Sequence, residues 1–262
     1  MAGYVVTGAG GGMGRAICRR LTKEGFCVWG IDRQPAEGEG WACITADVTD
    51  PDSLGAAFER IRSEAGSLDG IIHAAGVYDL NSLVEMPEKD FLLDFDVNLF
   101  GVFRINQLFL PLLRSGGRIV ILSSELAPLE PLPFTGVYAV TKAAVDKYAS
   151  ALRMELQLLG HSVIVIRPGA VKTDMLSVST EKLDQFCNAT KLYRCNAARF
   201  KRIVDRVEAR NIPPERIADV IYHSLTVKRP RLKYNVNRNP LLLLFRLLPV
   251  RVQLKVIRRI LA

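Results

Sequence analysis

Residues 4–14 read Tyr-Val-Val-Thr-Gly-Ala-Gly-Gly-Gly-Met-Gly, and a helical pattern, Ala-Ile-Cys-Arg-Arg-Leu, follows at 16–21. The apolar start predicts a short buried strand, so the chain passes from a strand through a glycine turn into a helix. In that order, backbone N–H groups and the helix N-terminus face an anion, and the glycines let the backbone come close to it. The stretch therefore predicts a diphosphate site.

The glycine spacing distinguishes between the known diphosphate motifs. The fingerprint G-x-G-x-x-G fails, because Gly8 and Gly10 would need a third glycine where Met13 stands. The phosphate loop of ATPases also fails, because Arg15 takes the place of the Lys that this loop requires. The pattern that fits is Thr-Gly-x-x-x-Gly-x-Gly, at Thr7, Gly8, Gly12 and Gly14.

The second predicted strand ends at Asp32. An acidic residue at this distance beyond the glycines accepts hydrogen bonds from adenosine ribose hydroxyls. Its charge would repel a 2′-phosphate, which favours NAD over NADP. Arg33 leaves NADP open as the alternative, because an adjacent guanidinium can pair with that phosphate.

Strand patterns alternate with helical patterns along most of the 262 residues. This alternation predicts an α/β fold of the Rossmann type, a doubly wound parallel sheet of about seven strands with helices on both faces. We expect residues 1–236 to form this single domain, since a chain of this length has ample core. The predicted strands are 4–7, 27–31, 42–46, 70–74, 117–122, 163–167 and 232–236.

Tyr138 and Lys142 lie four residues apart at the start of a predicted helix. This spacing puts both side chains on one face, where a lysine ammonium favours the phenolate and lowers a tyrosine pKa that is otherwise near ~10. Tyr138 is therefore a candidate acid or base. Since a surface pair without function has the same spacing, the prediction depends on the other motifs.

In order and spacing, these motifs resemble those of the short-chain dehydrogenase/reductase family over about residues 3–225. The resemblance implies an enzyme that binds NAD or NADP and interconverts a secondary alcohol and a ketone. It further implies a helix asparagine at Asn98, a serine at the end of the fifth strand, and a Pro-Gly pair after the sixth. The implied cofactor-binding residues are Thr7, Gly8, Gly12, Met13, Gly14, Asp32, Arg33, Asp47, Val48, Ala74, Ala75, Gly76, Asn98, Tyr138, Lys142, Pro168, Gly169, Val171 and Thr173.

The same resemblance assigns catalytic roles. Tyr138 exchanges a proton with the substrate oxygen, and Ser124 hydrogen-bonds that oxygen. Lys142 lowers the pKa of Tyr138 and holds the nicotinamide ribose, while Asn98 distorts its helix and holds a water that links Lys142 to solvent. Ser123 remains an alternative to Ser124, because the interval from Ser124 to Tyr138 is one residue longer than the commonest family spacing.

Two positions depart from the family pattern. His73 replaces the first asparagine of the fourth-strand motif, and we expect a buried structural histidine there. Glu125 and the residues after it lack the glycine often found behind the catalytic serine. A non-catalytic cofactor-binding scaffold is the alternative to an enzyme, although such relatives usually lose the Tyr or the Lys, and both are present here.

Charge and cysteine usage limit the partners. Residues 1–219 hold 25 bases and 27 acids, so the near-neutral body argues against nucleic-acid binding. The five scattered cysteines have no metal-type spacing, so we expect no metal site and a reducing compartment, the cytoplasm. The chain begins in its first strand, which argues against a cleaved signal.

The tail, 237–262, carries the positive charge. Ten bases and no acids follow Asp219, and the run 241–248 is apolar but too short to span a membrane. The next segment predicts a basic amphipathic helix, so we expect the tail to contact a membrane surface or, as the alternative, to pack on the body or on a second subunit. Its predicted basic face is Arg251, Lys255, Arg258 and Arg259, and its apolar face is Val250, Leu254, Ile257 and Leu261.

The substrate pocket is predicted from two apolar segments. Residues 126–134 follow the serine, and residues 174–211 form a lid that is helical in pattern. Both favour a bulky lipophilic alcohol or ketone, such as a steroid, terpenoid or retinoid. The family resemblance also implies a homodimer or homotetramer, formed through helices near 96–113 and 138–159. The predicted apolar lid residues are Met175, Leu176, Phe186, Leu192, Tyr193 and Phe200.

Overall fold

The chain folds around a parallel sheet, seen in a computed structural model that describes residues 3–34, 40–208 and 210–262, without the side chains of residues 174, 176–178, 207 and 208. The sheet has seven strands in the order β3-β2-β1-β4-β5-β6-β7, and each neighbouring pair is parallel. The predicted fold class is confirmed. The strands are β1 Gly3–Thr7, β2 Cys27–Asp32, β3 Ala42–Thr45, β4 Leu68–His73, β5 Leu113–Leu122, β6 Ser162–Pro168 and β7 Lys233–Val236.

Ten α-helices lie in the described part of the chain, most of them connecting successive strands. A π-helical turn, Asp96–Phe100, joins α3 to α4. The helices are α1 Gly12–Lys23, α2 Pro51–Ala65, α3 Glu88–Phe95, α4 Gly101–Phe109, α5 Gly136–Leu156, α6 Asp174–Ala189, α7 Arg194–Glu208, α8 Glu215–Thr226, α9 Pro240–Arg246 and α10 Val250–Leu261.

The sheet is buried on both faces, which explains why its strands are rich in Val and Ile. One apolar cluster packs α2, α4 and α5 against the sheet around Ile71 and Phe109, and another packs α1 and α8 around Ile17 and Ile166. Strand order reverses between β1 and β4, and ligands bind in the crevice at such a reversal, outside the carboxyl ends of the strands.

A third apolar cluster joins the lid helices α6 and α7 to the body. Phe134 stands at its centre, with ring centroids 5.0 Å from Phe186, 5.2 Å from Tyr193 and 5.4 Å from Phe200. Phe186 and Tyr193 thus pack the lid onto the body, whereas Leu192 is exposed. The predicted lid member Leu176 has a side chain outside the described residues.

The tail helix α10 docks on α7 with two of the four residues of the apolar face that the sequence predicts. Ile257 and Leu261 pack in the apolar cluster of the lid, which fits their spacing of one turn. Gln253 is also buried, but it lines the small cavity beside Leu129. Val250 and Leu254 of the predicted apolar face are exposed. The carbonyl of Leu261 also accepts a hydrogen bond from Asn196 Nδ2 at 2.6 Å. The amphipathic helix therefore uses one apolar strip for docking and leaves a second in solvent.

Among the described residues, no helix is both long enough and apolar enough to cross a membrane.

Candidate active site

The glycine turn sits against the loop that follows β4. Gly8 has φ +70°, and a Cβ there would stand 2.6 Å from the Ala75 nitrogen. A Cβ on Gly14 would stand 1.9 Å from the Gly8 carbonyl oxygen, so neither position admits a larger residue. This cradle at the N-terminus of α1 suits a diphosphate, and Thr7 and Gly12 border it.

Asp32 lies at the end of β2, beside the glycine turn. Its Oδ2 accepts a hydrogen bond from the Gly10 nitrogen at 2.9 Å, and its Oδ1 accepts one from the Gln34 nitrogen at 3.0 Å. Asp32 thus positions the glycine turn. It also lies where the sequence predicts a carboxylate that binds the adenosine ribose hydroxyls. Arg33 is exposed beside it.

Asp47 and Val48 follow β3, next to the end of β2, where the Ala46 nitrogen donates to the Asp32 carbonyl at 2.9 Å. The Asp47 carboxylate accepts hydrogen bonds from the Thr49 nitrogen and hydroxyl, both at 2.8 Å, and so caps its own turn. Val48 is buried, and its carbonyl accepts a hydrogen bond from Arg104 at 3.2 Å. Both residues lie at the carboxyl edge of the sheet, as predicted for an adenine site.

The loop after β4 is held by the residues on either side. The Ala74 nitrogen donates to the Thr7 carbonyl at 3.2 Å, and the Ala75 nitrogen donates to the Thr7 hydroxyl at 3.3 Å. A Cβ on Gly76 would stand 3.0 Å from Asn98 Oδ1. The three predicted positions therefore line the crevice between the glycine turn and the catalytic helices.

Asn98 lies in the π-helical turn and is buried. Its amide group bonds the Val77 backbone in both directions, at 2.9 and 3.0 Å, and donates to the Thr141 hydroxyl at 3.1 Å. A π turn widens the helix at one residue and is common at functional sites. The resemblance had implied such a distortion here.

Tyr138 and Lys142 lie on one face of α5, with the Lys142 ammonium 5.7 Å from the centre of the Tyr138 ring. Burial raises the pKa of Tyr138 to about 12, while a hydrogen bond with Ser124 acts to lower it. Burial also lowers the pKa of Lys142 to about 8. Burial is therefore the largest influence on the Tyr138 pKa, the predicted net lowering by Lys142 is not found, and Tyr138 is protonated at neutral pH.

The two serines at the end of β5 face different partners. The Ser124 hydroxyl accepts from the Leu126 nitrogen at 3.2 Å and bonds Tyr138. The Ser123 hydroxyl donates to the Lys142 carbonyl at 3.3 Å. Of the two serines, Ser124 is therefore the one that bonds Tyr138.

His73 is buried against Asn106, with 2.8 Å between Nε2 and Oδ1. Burial lowers its pKa to about 4, so the ring is neutral. The expected structural role agrees with this position, which is away from the cavity.

The segment after β6 closes the crevice. The Pro168 carbonyl accepts from the Glu125 nitrogen at 2.8 Å, and the Gly169 nitrogen donates to the Val236 carbonyl at 2.8 Å. Val171 is buried, and Thr173 stands so close to Gly12 that a Cβ there would lie 2.8 Å from the Thr173 methyl. This segment therefore bridges the substrate side and the glycine turn.

A cavity of about 190 Å³ lies between these residues and the lid. Ser124, Tyr138 and Lys142 form its polar wall, and Tyr78 meets Tyr138 edge-to-face with ring centroids 4.4 Å apart. Its predicted apolar members are Leu126, Leu132, Met175 and Phe200, and the predicted cofactor-binding residue Met13 also lines it. The apolar and aromatic lining residues that the sequence did not predict include Tyr78, Ile203, Val204 and Leu242.

Leu242 had no signal as a cavity residue, because it belongs to the tail. It packs beside the loop 126–132, where Leu129 and Phe245 border a second, smaller cavity. The first turn of α9 thus forms part of the cavity mouth. Among the described residues, no group of three or more His, Cys, Asp or Glu is arranged to bind a metal.

Comparison with known proteins defines the family. The family model "short chain dehydrogenase" matches residues 4–184, so the chain belongs to the short-chain dehydrogenases and is an oxidoreductase that uses a nicotinamide cofactor. The 3-ketodihydrosphingosine reductase of Bacteroides thetaiotaomicron is 27% identical over 235 residues, covering 88% of this chain and 86% of that protein.

Two further proteins are similar along most of their length. The NADPH-dependent 3-dehydrocapnine reductase of Ornithobacterium rhinotracheale is 27% identical over 248 residues, 88% of this chain and 87% of that protein. The 3-ketoacyl-(acyl-carrier-protein) reductase of Brucella melitensis, solved with NADH, superposes with a TM-score of 0.73 at 20% identity, covering 89% of this chain and 96% of that one.

Proposed function

We propose that this protein reduces a bulky hydrophobic ketone to a secondary alcohol, with the reverse oxidation at the same site. The observation that carries the proposal is the convergence of Ser124, Tyr138 and Lys142 on one wall of a cavity whose remaining lining is mostly apolar. The named reductases among its relatives support the reductive direction. Protonated Tyr138 supports it as well, because reduction needs a proton donor.

The bound cofactor would supply the hydride, and the chain's own residues manage the oxygen. Ser124 donates a hydrogen bond to the carbonyl oxygen and holds it beside Tyr138. The Tyr138 hydroxyl gives that oxygen its proton. Lys142 steadies the resulting phenolate with its positive charge, and Asn98 keeps the helix open behind it.

Replacement of Tyr138 by Phe tests this function, because it removes the proton donor and leaves the ring. We expect NAD(P)H-dependent reduction of a panel of lipophilic ketones to fall by about 10²–10⁴-fold. Cofactor binding, measured by nicotinamide fluorescence, should remain. Tyr148→Phe on the same helix is the control and should retain activity. Unchanged turnover in the Tyr138 variant would refute the assignment.

We infer that NAD is the preferred cofactor, supported by the Asp32 carboxylate beside the glycine turn. The NADPH dependence of one relative, together with exposed Arg33, supports NADP as the alternative. The cradle at Gly8 and Gly14 accommodates the diphosphate of either.

We also propose that the tail contacts an anionic membrane surface. Leu247 is 79% exposed and Leu254 is 62% exposed, at the end of α9 and on α10. Exposed Arg246, Arg251 and Lys255 lie among them. Exposed leucines interleaved with bases suit the boundary between lipid headgroups and acyl chains, and each base near such a surface adds ~1 kcal/mol.

The competing function is a non-catalytic cofactor-binding scaffold with the same fold. The exposed tail favours it, because such a protein could use the tail to bind a membrane or a partner. The two are distinguished by turnover, since a scaffold would bind NADH yet reduce no ketone in the panel.

A further inference from the structure

Glu125 places a carboxylate in the wall of the apolar cavity, immediately after Ser124 in the chain. It is the single acidic side chain among the described residues that line this cavity. Its backbone is fixed, because its nitrogen donates to the Pro168 carbonyl at 2.8 Å. Its Oε1 lies over Gly169, where a Cβ would stand 2.9 Å from that oxygen. The carboxylate therefore stands next to the site of the reacting oxygen.

The partners of Glu125 within the chain leave most of its acceptor capacity unused. Oε2 accepts a hydrogen bond from the Asn239 nitrogen at 2.7 Å. An ionised carboxylate has about four acceptor positions, so this one neutral donor leaves the group under-satisfied. The positive charge of Arg238 acts on Glu125 only by long-range electrostatics. Among the described residues, no cation lies within 4.0 Å of the Glu125 carboxylate as an ion pair.

A partly buried carboxylate without an ion-pair partner is costly, and a cation that enters the cavity would reduce that cost. Lys142 does not do so, because its ammonium lies under the Tyr138 ring and donates to the Leu122 carbonyl at 3.3 Å. The same negative charge would repel a carboxylate or phosphate on the substrate. The charge of Glu125 therefore favours cationic substrates over anionic ones.

We propose that Glu125 binds a protonated amine carried next to the reacting carbonyl, so that the substrate class is a long-chain amino ketone. The inference rests on the proposed reductase function and specifies its substrate. Ser124 and Tyr138 take the carbonyl oxygen and Glu125 takes the ammonium. Leu132, Phe200 and Leu242 are among the apolar residues that would pack on the hydrocarbon chain.

Glu125→Gln provides the test, because the amide oxygen still accepts from Asn239 while the charge is lost. The probes are a long-chain 2-amino-3-ketone and the neutral 2-hydroxy-3-ketone of the same length. In the wild type we expect kcat/KM to favour the amine by at least about 10-fold, as a charge-assisted hydrogen bond predicts. In the variant the ratio of the two kcat/KM values should fall to near one, because the charge that distinguishes the two probes is lost. Glu130→Gln, an exposed position on the same loop, should leave the ratio unchanged.

A wild type without the preference, or a Glu125 variant that keeps it, overturns the proposal and would leave Glu125 as a tether for the tail. A wild type that reduces neither probe nor any ketone of the lipophilic panel refutes the reductase function itself. If the variant does not fold, inhibition of the wild type by dodecylamine and by dodecanol replaces it. We expect the amine to inhibit at least about 10-fold more strongly, and equal inhibition constants would overturn the proposal.

Discussion

Asp32 is the residue that we expect to determine the preference for NADH over NADPH. Its carboxylate holds the glycine turn through the Gly10 nitrogen, so alanine there would loosen the turn and obscure the effect of charge. Asp32→Asn keeps an oxygen acceptor and removes the charge. We expect the wild type to bind NADH more tightly than NADPH, and the variant to lose about 10-fold in NADH affinity, as measured by nicotinamide fluorescence.

Asp52→Asn, an exposed change at the start of α2, is the matched control. A wild type that prefers NADPH would contradict the prediction and assign the dominant role to Arg33.

Asp94 makes stability depend on pH. The residue is 1% exposed, its Oδ2 has no hydrogen-bond partner, and burial together with the negative charge of Asp79 raises its pKa to about 7. Between about pH 4 and 7 the unfolded chain ionises this carboxyl more readily than the folded protein does, so stability falls as pH rises through that window and levels off above it.

We therefore expect the free energy of unfolding, from denaturant titrations, to contain an Asp94 contribution that falls by about 2 kcal/mol from pH 5 to pH 8. Asp94→Asn should remove this slope and stabilise the protein at pH 8. Asp90→Asn, one turn earlier in the same helix, should retain most of the slope, because Asp90 contributes less to the raised Asp94 pKa than burial and Asp79 do. Parallel curves for wild type and Asp94→Asn would refute the assignment.

For single residues, the sequence predicts which active-site side chains lie close together, but it does not predict their ionisation states. Tyr138 and Lys142 share a helix face whatever the tertiary structure, so their adjacency follows from spacing alone. The Tyr138 pKa depends instead on how much water the lid and the loop after β4 exclude, and that is a property of long-range packing. Glu125 departs from the family pattern in the sequence. Its position in the cavity wall could not be predicted, because it depends on contacts with Pro168 at the end of β6 and with Asn239 at the start of α9.

The two tail helices carry the membrane prediction. Deletion of 237–262 would also remove Leu261 from the lid cluster and so confound the result. We instead expect the double substitution Leu247→Asp and Leu254→Asp to abolish co-sedimentation with vesicles rich in anionic lipid, while the wild type sediments with them and binds neutral vesicles weakly.

The matched control is Leu158→Asp, which changes a leucine that is 82% exposed outside the tail. Equal sedimentation of the wild type and the double variant would end the membrane proposal.

The tail also shows where element-level prediction fails. A helical wheel gave the correct period for α10 and the correct basic residues, but it could not say which apolar strip would find a partner. Docking on α7 uses Ile257 and Leu261, which belong to the lid cluster, whereas Gln253 lines the small cavity beside the 126–132 loop. The seven strands were predicted within a few residues, since β-branched runs bounded by turns depend little on context.

The whole molecule is expected to self-associate through its helical flank. Phe100 is 47% exposed and Phe103 is 46% exposed, and Val140 on the neighbouring helix is also exposed. We expect light scattering after size exclusion to give a dimer or tetramer, and Phe100→Asp with Phe103→Asp to lower the mass. Leu232→Asp, at an exposed site elsewhere, should not. A monomeric wild type would contradict the prediction.

The lid and the tail share one apolar cluster, in which Phe200 lines the cavity and Leu261 belongs to α10. A movement of the lid that admits substrate must therefore carry α10 or break its contacts. If a bilayer binds α10, its lipids become allosteric effectors of substrate binding in the cavity. The coupling between lipid binding and substrate binding is reciprocal by thermodynamic linkage. Vesicles would then change the affinity for substrate, and substrate would change the affinity for vesicles by the same factor.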